Sequence, residues 1–229
     1  MKERPIIFNG DMVRAILSGR KTQTRRPIPD WQLPKHYPDN EHSNKWMAIA
    51  QRHPRYGFAV FGETEELCAK ELEEAISCPC GNKLEHLWVR ETFQFGLCTK
   101  STLAYRATHK SEDLEDGWRE PVKWRPSIHM PRWASRITLE ITNVRVERLK
   151  DISEQDAISE GMQFTDYGKN HFNQQRNGWS WQETTHHDEC LSTARFAFGN
   201  LWESNYGEYS WDANPWVWVI DFRRIDNGN

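Results

Sequence analysis

The sequence predicts an α+β protein organised around a small β-barrel or a strongly curved sheet. Two observations carry that prediction. Strand and helix signals do not alternate along the chain, which favours α+β. The longest strand signal, Ser135–Leu149, places Ile137, Leu139, Ile141, Val144 and Val146 at alternating positions, with a bulge near Thr142-Asn143.

The elements follow in order. Residues 4–9 read as a short strand, and Gly10-Asp11 offers a helix N-cap. Met12, Val13, Ile16 and Leu17 recur at helical spacing over 11–18, and Gly19 stands where a C-cap is wanted. The polar run 20–26 leaves that helix as a loop or short strand stopped by Pro27. Pro27, Pro29, Pro34, Pro38 and Pro54 mark an irregular insertion, with a short hairpin near 46–50 and 57–61. Residues 63–76 suit a short helix or a solvated loop. Leu84–Phe95 alternates as a strand, with 103–106 as its partner, and the acidic 108–120 reads as a loop.

Two prolines make 124–133 a loop. Asp151–Gly161 suits a helix with Ser153 as N-cap and Gly161 beyond its end. Residues 163–188 lack periodicity and read as a loop insertion. Leu191, Ala194, Phe198, Leu201 and Trp202 set a helix over 190–204, and Trp216–Ile225 reads as a strand buried on both faces at its start. The domain is thus expected to run through the whole chain, with insertions at about 30–80 and 163–190.

The chain has 229 residues, enough to bury a core without disulfides or metal. Charged residues make up 28%, and no apolar run approaches the ~20 residues of a membrane span, so a soluble, cytoplasmic protein is expected. Twelve Trp argue against global disorder. A net charge of -3 means that any nucleic-acid contact must come from a local basic patch. Cys68, Cys78, Cys80, Cys98 and Cys190 are irregularly spaced and read as reduced thiols. Cys78-Pro79-Cys80 leaves a zinc site with a distant Cys or His as the alternative.

Five clusters carry candidate chemistry. Gly19-Arg20-Lys21-Thr22-Gln23-Thr24-Arg25-Arg26 is an oxyanion or phosphate binder, or a solvated basic turn. Within it, a lysine deprotonated by burial or by nearby arginines suits general-base work on Thr24. In Trp88-Val89-Arg90-Glu91-Thr92, Arg90 and Glu91 suit a buried pair, a pocket wall or a pair on a sheet rim. Glu160 closes a helix, where the dipole disfavours its charge, so it is either a proton carrier or a solvated carboxylate. Trp124, Arg125, His129, Arg132 and Trp133 suit a stacking platform with cationic neighbours, or aromatic packing under a loop. His186-His187-Asp188-Glu189-Cys190 offers metal-ligand types without a known spacing, or an exposed polar loop.

Together these residues resemble the ASCH domain family of the PUA-like superfamily, in particular its phage- and prophage-encoded members. The match lies in Ile16–Arg26, which carries the signature G-x-K-x-x-[TE]-x-R, and in Leu87–Phe93 and Trp124–Ile137. It continues in Asp156-Ala157 to Glu160-Gly161-Met162 and in Asn214–Ile220. The segment Gly81–His86 departs from the turn of the related phage sequences. The resemblance implies a small barrel with a helix across one end and a cleft between them that takes RNA, DNA or modified nucleobases. Some members remove the acyl group of N4-acetylcytidine, and their lysine, threonine and glutamate map onto Lys21, Thr24 and Glu160.

The expected function is recognition of a nucleobase, nucleoside or single-stranded RNA or DNA in a basic cleft around Lys21. Arg20, Arg25, Arg26, Arg90, Glu91, Trp124, His129, Arg132 and Trp133 are the candidate base-binding residues. The alternative is an amidohydrolase using Thr24, Lys21 and Glu160. A second alternative is a phage protein that binds a host protein through its insertions, with the Trp-rich 179–188 as the surface. No metal or organic cofactor is implied.

Overall fold

A computed structural model describes residues 2–37, 44–96, 102–110 and 122–225. The architecture is α+β, with four α-helices and several sheets among the described residues. At its centre is a five-stranded sheet of β1 (Glu3–Ile7), β2 (Gln23–Pro27), β6 (His86–Arg90), β9 (Thr138–Arg148) and β12 (Trp216–Ile225). Their order is β1-β6-β9-β12-β2, with β1 and β6 parallel and the other pairs antiparallel. The β9–β12 ladder steps in register between Asp221 and Phe222, leaving Thr142 as the extra residue where the sequence placed a bulge.

The expected barrel does not close: no ladder among the described residues joins β1 to β2. The two edges are tied instead by one side chain, Arg26, whose Nη2 donates to the Ile7 carbonyl at 2.7 Å. Helix α1 (Gly10–Leu17) connects the same two strands. Its N-cap is Asn9, one residue before the expected cap, with Oδ1 accepting from Met12 N at 2.9 Å. Gly19 ends the turn at φ +77, a left-handed conformation that glycine adopts without strain.

The sheet carries a core on each face. Trp216, Trp218, Ile220 and Phe222 of β12 join Val13, Ile16, Leu87 and Leu139. Val217 and Val219 join Leu149, Ala157, Phe198, Leu201 and Trp202 on the other face. Burial of β12 on both faces explains its unbroken apolar run.

The insertion after β2 carries the expected hairpin and, of the two readings of 63–76, the helix. It builds β3 (Lys35–His36), β4 (Trp46–Gln51), β5 (Phe58–Gly62) and α2 (Glu65–Glu74), capped by Thr64. Ala48, Ala50, Cys68, Ala69 and Leu72 enter the main core, and Trp218 Nε1 donates to buried Gln32 Oε1 at 3.0 Å. The strand expected over 84–95 breaks after Arg90, and its second part, β7 (Phe93–Phe95), pairs with β8 (Leu103–Tyr105), the partner expected at 103–106. The acidic 111–120 and Cys98 lie outside the described residues.

The 163–188 segment, expected as a loop, is largely a hairpin of β10 (Gln163–Lys169) and β11 (Gln175–Ser180). Its polar strands hide the usual period, because only one cross-strand aromatic pair, Phe164–Trp179, anchors them. Helix α3 (Glu154–Ser159) is capped by Ser153 as expected, and α4 (Ala194–Tyr206) by Thr193. No helix among the described residues is long and apolar enough to cross a membrane.

Candidate functional site

The site begins where two turns meet. After Gly19 the chain doubles back, and Lys21 N donates to Ala15 O at 3.0 Å. Lys21 then forms an antiparallel bridge with Glu160, the C-cap of α3, and Thr22 N donates to Ser159 O at 2.8 Å. Gly161 makes this approach possible. At φ +104, an added Cβ would lie 3.0 Å from Ala15 Cβ and 3.2 Å from Lys21 Cβ.

The two side chains meet inside this junction. Lys21 Nζ lies 2.6 Å from Glu160 Oε2 and 2.9 Å from the Glu160 carbonyl. The exposures of the two side chains are 0% and 2%. Burial pushes the Lys21 ammonium below the ordinary lysine value, and Glu160 opposes that shift while Arg26 and Arg25 reinforce it. Lys21 is thus held by a carboxylate in surroundings that disfavour its charge.

Strand β2 supplies the next residues. Its register with β12 sets Thr24 opposite Ile220, Arg25 opposite Val219 and Gln23 opposite Asp221. Arg25 is fully enclosed and reaches Glu160 Oε1 at 3.4 Å, Glu147 Oε2 at 3.2 Å and Asp156 Oδ2 at 3.5 Å. It also donates to Gln23 Oε1. Gln23 in turn donates to Asp156 at 2.9 Å and to Asp221 at 2.6 Å. Arg145 closes the network on Glu147, Asp221 and Asp156. Burial opposes the charge of Asp156, but hydrogen bonds from Gln23 and Ser153, with Arg25 and Arg145 nearby, hold its carboxyl below the usual range.

A cleft of about 360 Å³ opens beside this network. Its polar wall is Thr24, Arg25, Arg26 and Glu160, with Thr92 and Ser127 at one side. Its apolar wall comes from Phe8 and Met12 and from Phe198, Leu201, Trp202 and Tyr206 of α4. Lys21 does not line it, because it sits behind Glu160. Among the described residues, Thr24 and Lys21 are not hydrogen-bonded to each other. Three N–H groups of cleft-lining residues are buried without a partner: Arg25 Nε, Arg26 Nε and Trp202 Nε1. Unpaired buried donors are uncommon in native proteins.

Of the sequence candidates, Lys21, Thr24, Glu160, Arg25 and Arg26 come together here. Arg20 instead clasps the Gly161 carbonyl at 2.9 Å. Arg90 donates to the carbonyls of Met130, at 3.1 Å, and Ile128, pinning the 124–133 segment. Glu91 is buried, but its partner is Arg136, in a two-pronged contact at 2.8 and 2.9 Å. Trp124 packs on His109, Arg132 pairs with Glu3, His129 is exposed, and Trp133 is 65% exposed with its edge on Phe95. None of these six residues or Arg20 lines the cleft. Trp179 and Trp181 pack against the second core. Among the described residues no group of three or more His, Cys, Asp or Glu is placed to hold a metal.

Sequence reading placed Gln23 in the first cluster without a role, and missed Glu147, Arg145 and Asp221 as site residues, and the whole α4 wall. Arg145 and Glu147 share one face of a strand that otherwise alternates with apolar residues, which is a legible signal. The α4 residues gave none, because an apolar helical stripe reads equally as core. No protein-family model, curated protein or solved structure matches the chain.

Proposed function

We propose that the chain is an ASCH-like protein that takes a single nucleobase or nucleoside into this cleft and hydrolyses an N-acyl amide on it. The observation that carries the reading is the buried Lys21–Glu160 pair, of which only Glu160 reaches the wall shared with Thr24. The resemblance that maps a signature lysine and threonine onto Lys21 and Thr24, and a glutamate of a later helix onto Glu160, supports it. On this reading, the open sheet bridged by Arg26 takes the place of the PUA-like barrel.

Three further features favour a small neutral ligand over a nucleic-acid strand. The cleft volume lies in the range of small-molecule sites and has aromatic walls for a ring to pack on. The Lys21 and Arg25 charges are matched by carboxylates, which leaves Arg26 as the one cleft-lining cation without a carboxylate partner among the described residues, few charges for a phosphate backbone. The unpaired donors of Arg25, Arg26 and Trp202 suit acceptor oxygens or nitrogens of a base or an acyl group.

In the proposed reaction, Thr24 Oγ1 attacks the acyl carbon. Its proton passes to Glu160 and on to Lys21 behind it; the mechanism requires Lys21 in its neutral form, which burial favours over the ammonium. Arg25 or Arg26 steadies the oxyanion. Glu160 returns the proton to the leaving amine as the C–N bond breaks. Water then hydrolyses the Thr24 ester through the same proton carriers, releasing the acid.

The test is incubation of purified protein with N4-acetylcytidine, chromatography for cytidine, and Lys21→Ala alongside. Wild-type turnover that vanishes in the variant supports the hydrolase. Absence of turnover at high enzyme concentration overturns it for this substrate. Nucleoside binding without turnover would leave recognition alone as the function.

A further inference from the structure

The cleft draws its polar wall from the edge strand β2 and meets the other edge strand, β1, at Ile7. In an antiparallel pair, alternate residues turn their main-chain groups toward the partner and those between turn theirs away. Thr22 O accepts from Phe222 N at 2.8 Å, and Ile28 N donates to Trp216 O at 3.0 Å. The register between these two bonds is unbroken. Thr24 and Arg26 therefore also bond toward β12, while Gln23, Arg25 and Pro27 turn their main-chain groups to the open edge. Strand β1 shows its own alternation against β6. Lys2 O accepts from His86 N at 3.0 Å and Phe8 N donates to Arg90 O at 3.3 Å, so Pro5 and Ile7 face outward. Each edge thus carries a proline at an outward position, where the missing N–H breaks no ladder.

Of the three outward residues of β2, only Arg25 lines the cleft. Its side chain is 0% exposed while the residue as a whole is 3% exposed, so the part of it that is open is main chain. The edge is blocked beyond it in both directions. Thr22 N is taken by Ser159 O at 2.8 Å, and Pro27 has no N–H. An added peptide strand needs a row of donors and acceptors along the edge. The cleft offers one N–H and one C=O, turned the same way from one residue. That pair matches the rim of a heterocycle on which an acceptor stands beside a donor.

Resting on the nucleobase reading of the cleft, we propose that the main chain of Arg25 reads the base. Its N–H donates to a ring nitrogen, and its C=O accepts from the exocyclic N–H next to that nitrogen. The substrate class is then a cytosine-type base whose exocyclic nitrogen carries one substituent and keeps one hydrogen. An N4-acyl cytosine meets this requirement, with N3 as acceptor and N4–H as donor. A base with two substituents on that nitrogen, or with carbon in place of N3, does not. The Arg25 side chain stays behind the strand on Glu147, Asp156 and Glu160, and this anchor holds the two main-chain groups in place.

The experiment titrates nitrogen-15-labelled full-length protein with cytidine, the product of the proposed reaction, and records main-chain amide shifts and hydrogen exchange. The Arg25 amide proton should move downfield to saturation and exchange more slowly with solvent. The Thr24 and Arg26 amides, already bonded toward β12, should keep their exchange rates. Both 3-deazacytidine, which lacks the ring acceptor, and N4,N4-dimethylcytidine, which lacks the donor, should bind about tenfold more weakly. Saturable shifts of Phe8, Trp202 and other cleft residues with the Arg25 amide unmoved, or equal affinity for cytidine and 3-deazacytidine, overturn the edge pairing and leave nucleoside recognition standing. No shift at any cleft residue overturns both.

Discussion

Lys21 Nζ sits 2.6 Å from Glu160 Oε2 across 139 residues of sequence, and neither side chain is open to water. Removing one partner of such a pair leaves a buried charge, whereas removing both does not. Lys21→Met should therefore lower stability by about 3–5 kcal/mol. Adding Glu160→Gln should return part of that loss. Urea unfolding of the two single variants and the double variant measures the coupling, and additive effects would contradict a direct pair.

The same lysine sets a pH dependence in the alkaline range. Its value is depressed in the folded protein, so between that value and the ordinary lysine value of 10.5 the unfolded chain binds more protons. Stability then rises with pH across this window as far as Lys21 contributes. Lys21→Met should remove that rise. The difference in unfolding free energy between wild type and variant, followed from neutral pH upward, tests it.

Asp156 predicts the opposite limb. Its folded value is depressed, so its contribution is complete above the unfolded carboxylate value and is lost as pH falls through the folded one. Asp156→Asn should flatten the acid limb of a stability-versus-pH curve. An unchanged limb would mean that the Gln23, Ser153, Arg25 and Arg145 contacts do not favour its charge.

Gly161→Ala should destabilise by about 1–3 kcal/mol, because it forces a left-handed residue against Ala15 and the Lys21 stem. Displacement of Lys21 should also weaken nucleoside binding. Thermal unfolding and titration calorimetry read the two effects separately.

Gln23→Ala removes a donor to Asp156 and Asp221 and an acceptor for Arg25 in one step. A loss of about 1–3 kcal/mol is expected, with weaker ligand binding because Arg25 loses its seat beside Glu160. Gln23→Glu should restore the contact to Arg25 while placing a charge beside two carboxylates. Its stability should fall below that of the wild type.

Much of the secondary structure was legible because local signals sufficed. Ser153 and Gly161 bracket α3, the alternation of Ile137–Val146 marks β9, and the apolar run of β12 reports burial on two faces. The β10–β11 hairpin was not, since its strands are polar and one aromatic pair holds them. Arg90 and Glu91 were legible as buried or pocket residues, but their partners were not. Glu91 meets Arg136 and Arg90 meets backbone carbonyls, contacts 45 and about 40 residues away in sequence.

By itself the sequence determined the α+β class, the Ser153 cap of α3 and the presence of helix α1 after its first strand, and it offered Lys21, Thr24 and Glu160 as candidates through a resemblance. Those properties rest on local periodicity, turn chemistry and a short signature. Tertiary structure alone decided that the sheet stays open, that Lys21 lies behind Glu160 rather than in the cleft, and that α4 supplies the apolar wall. Each depends on which distant elements meet, and burial, which sets both the packing and the protonation of Lys21, exists only after they have met.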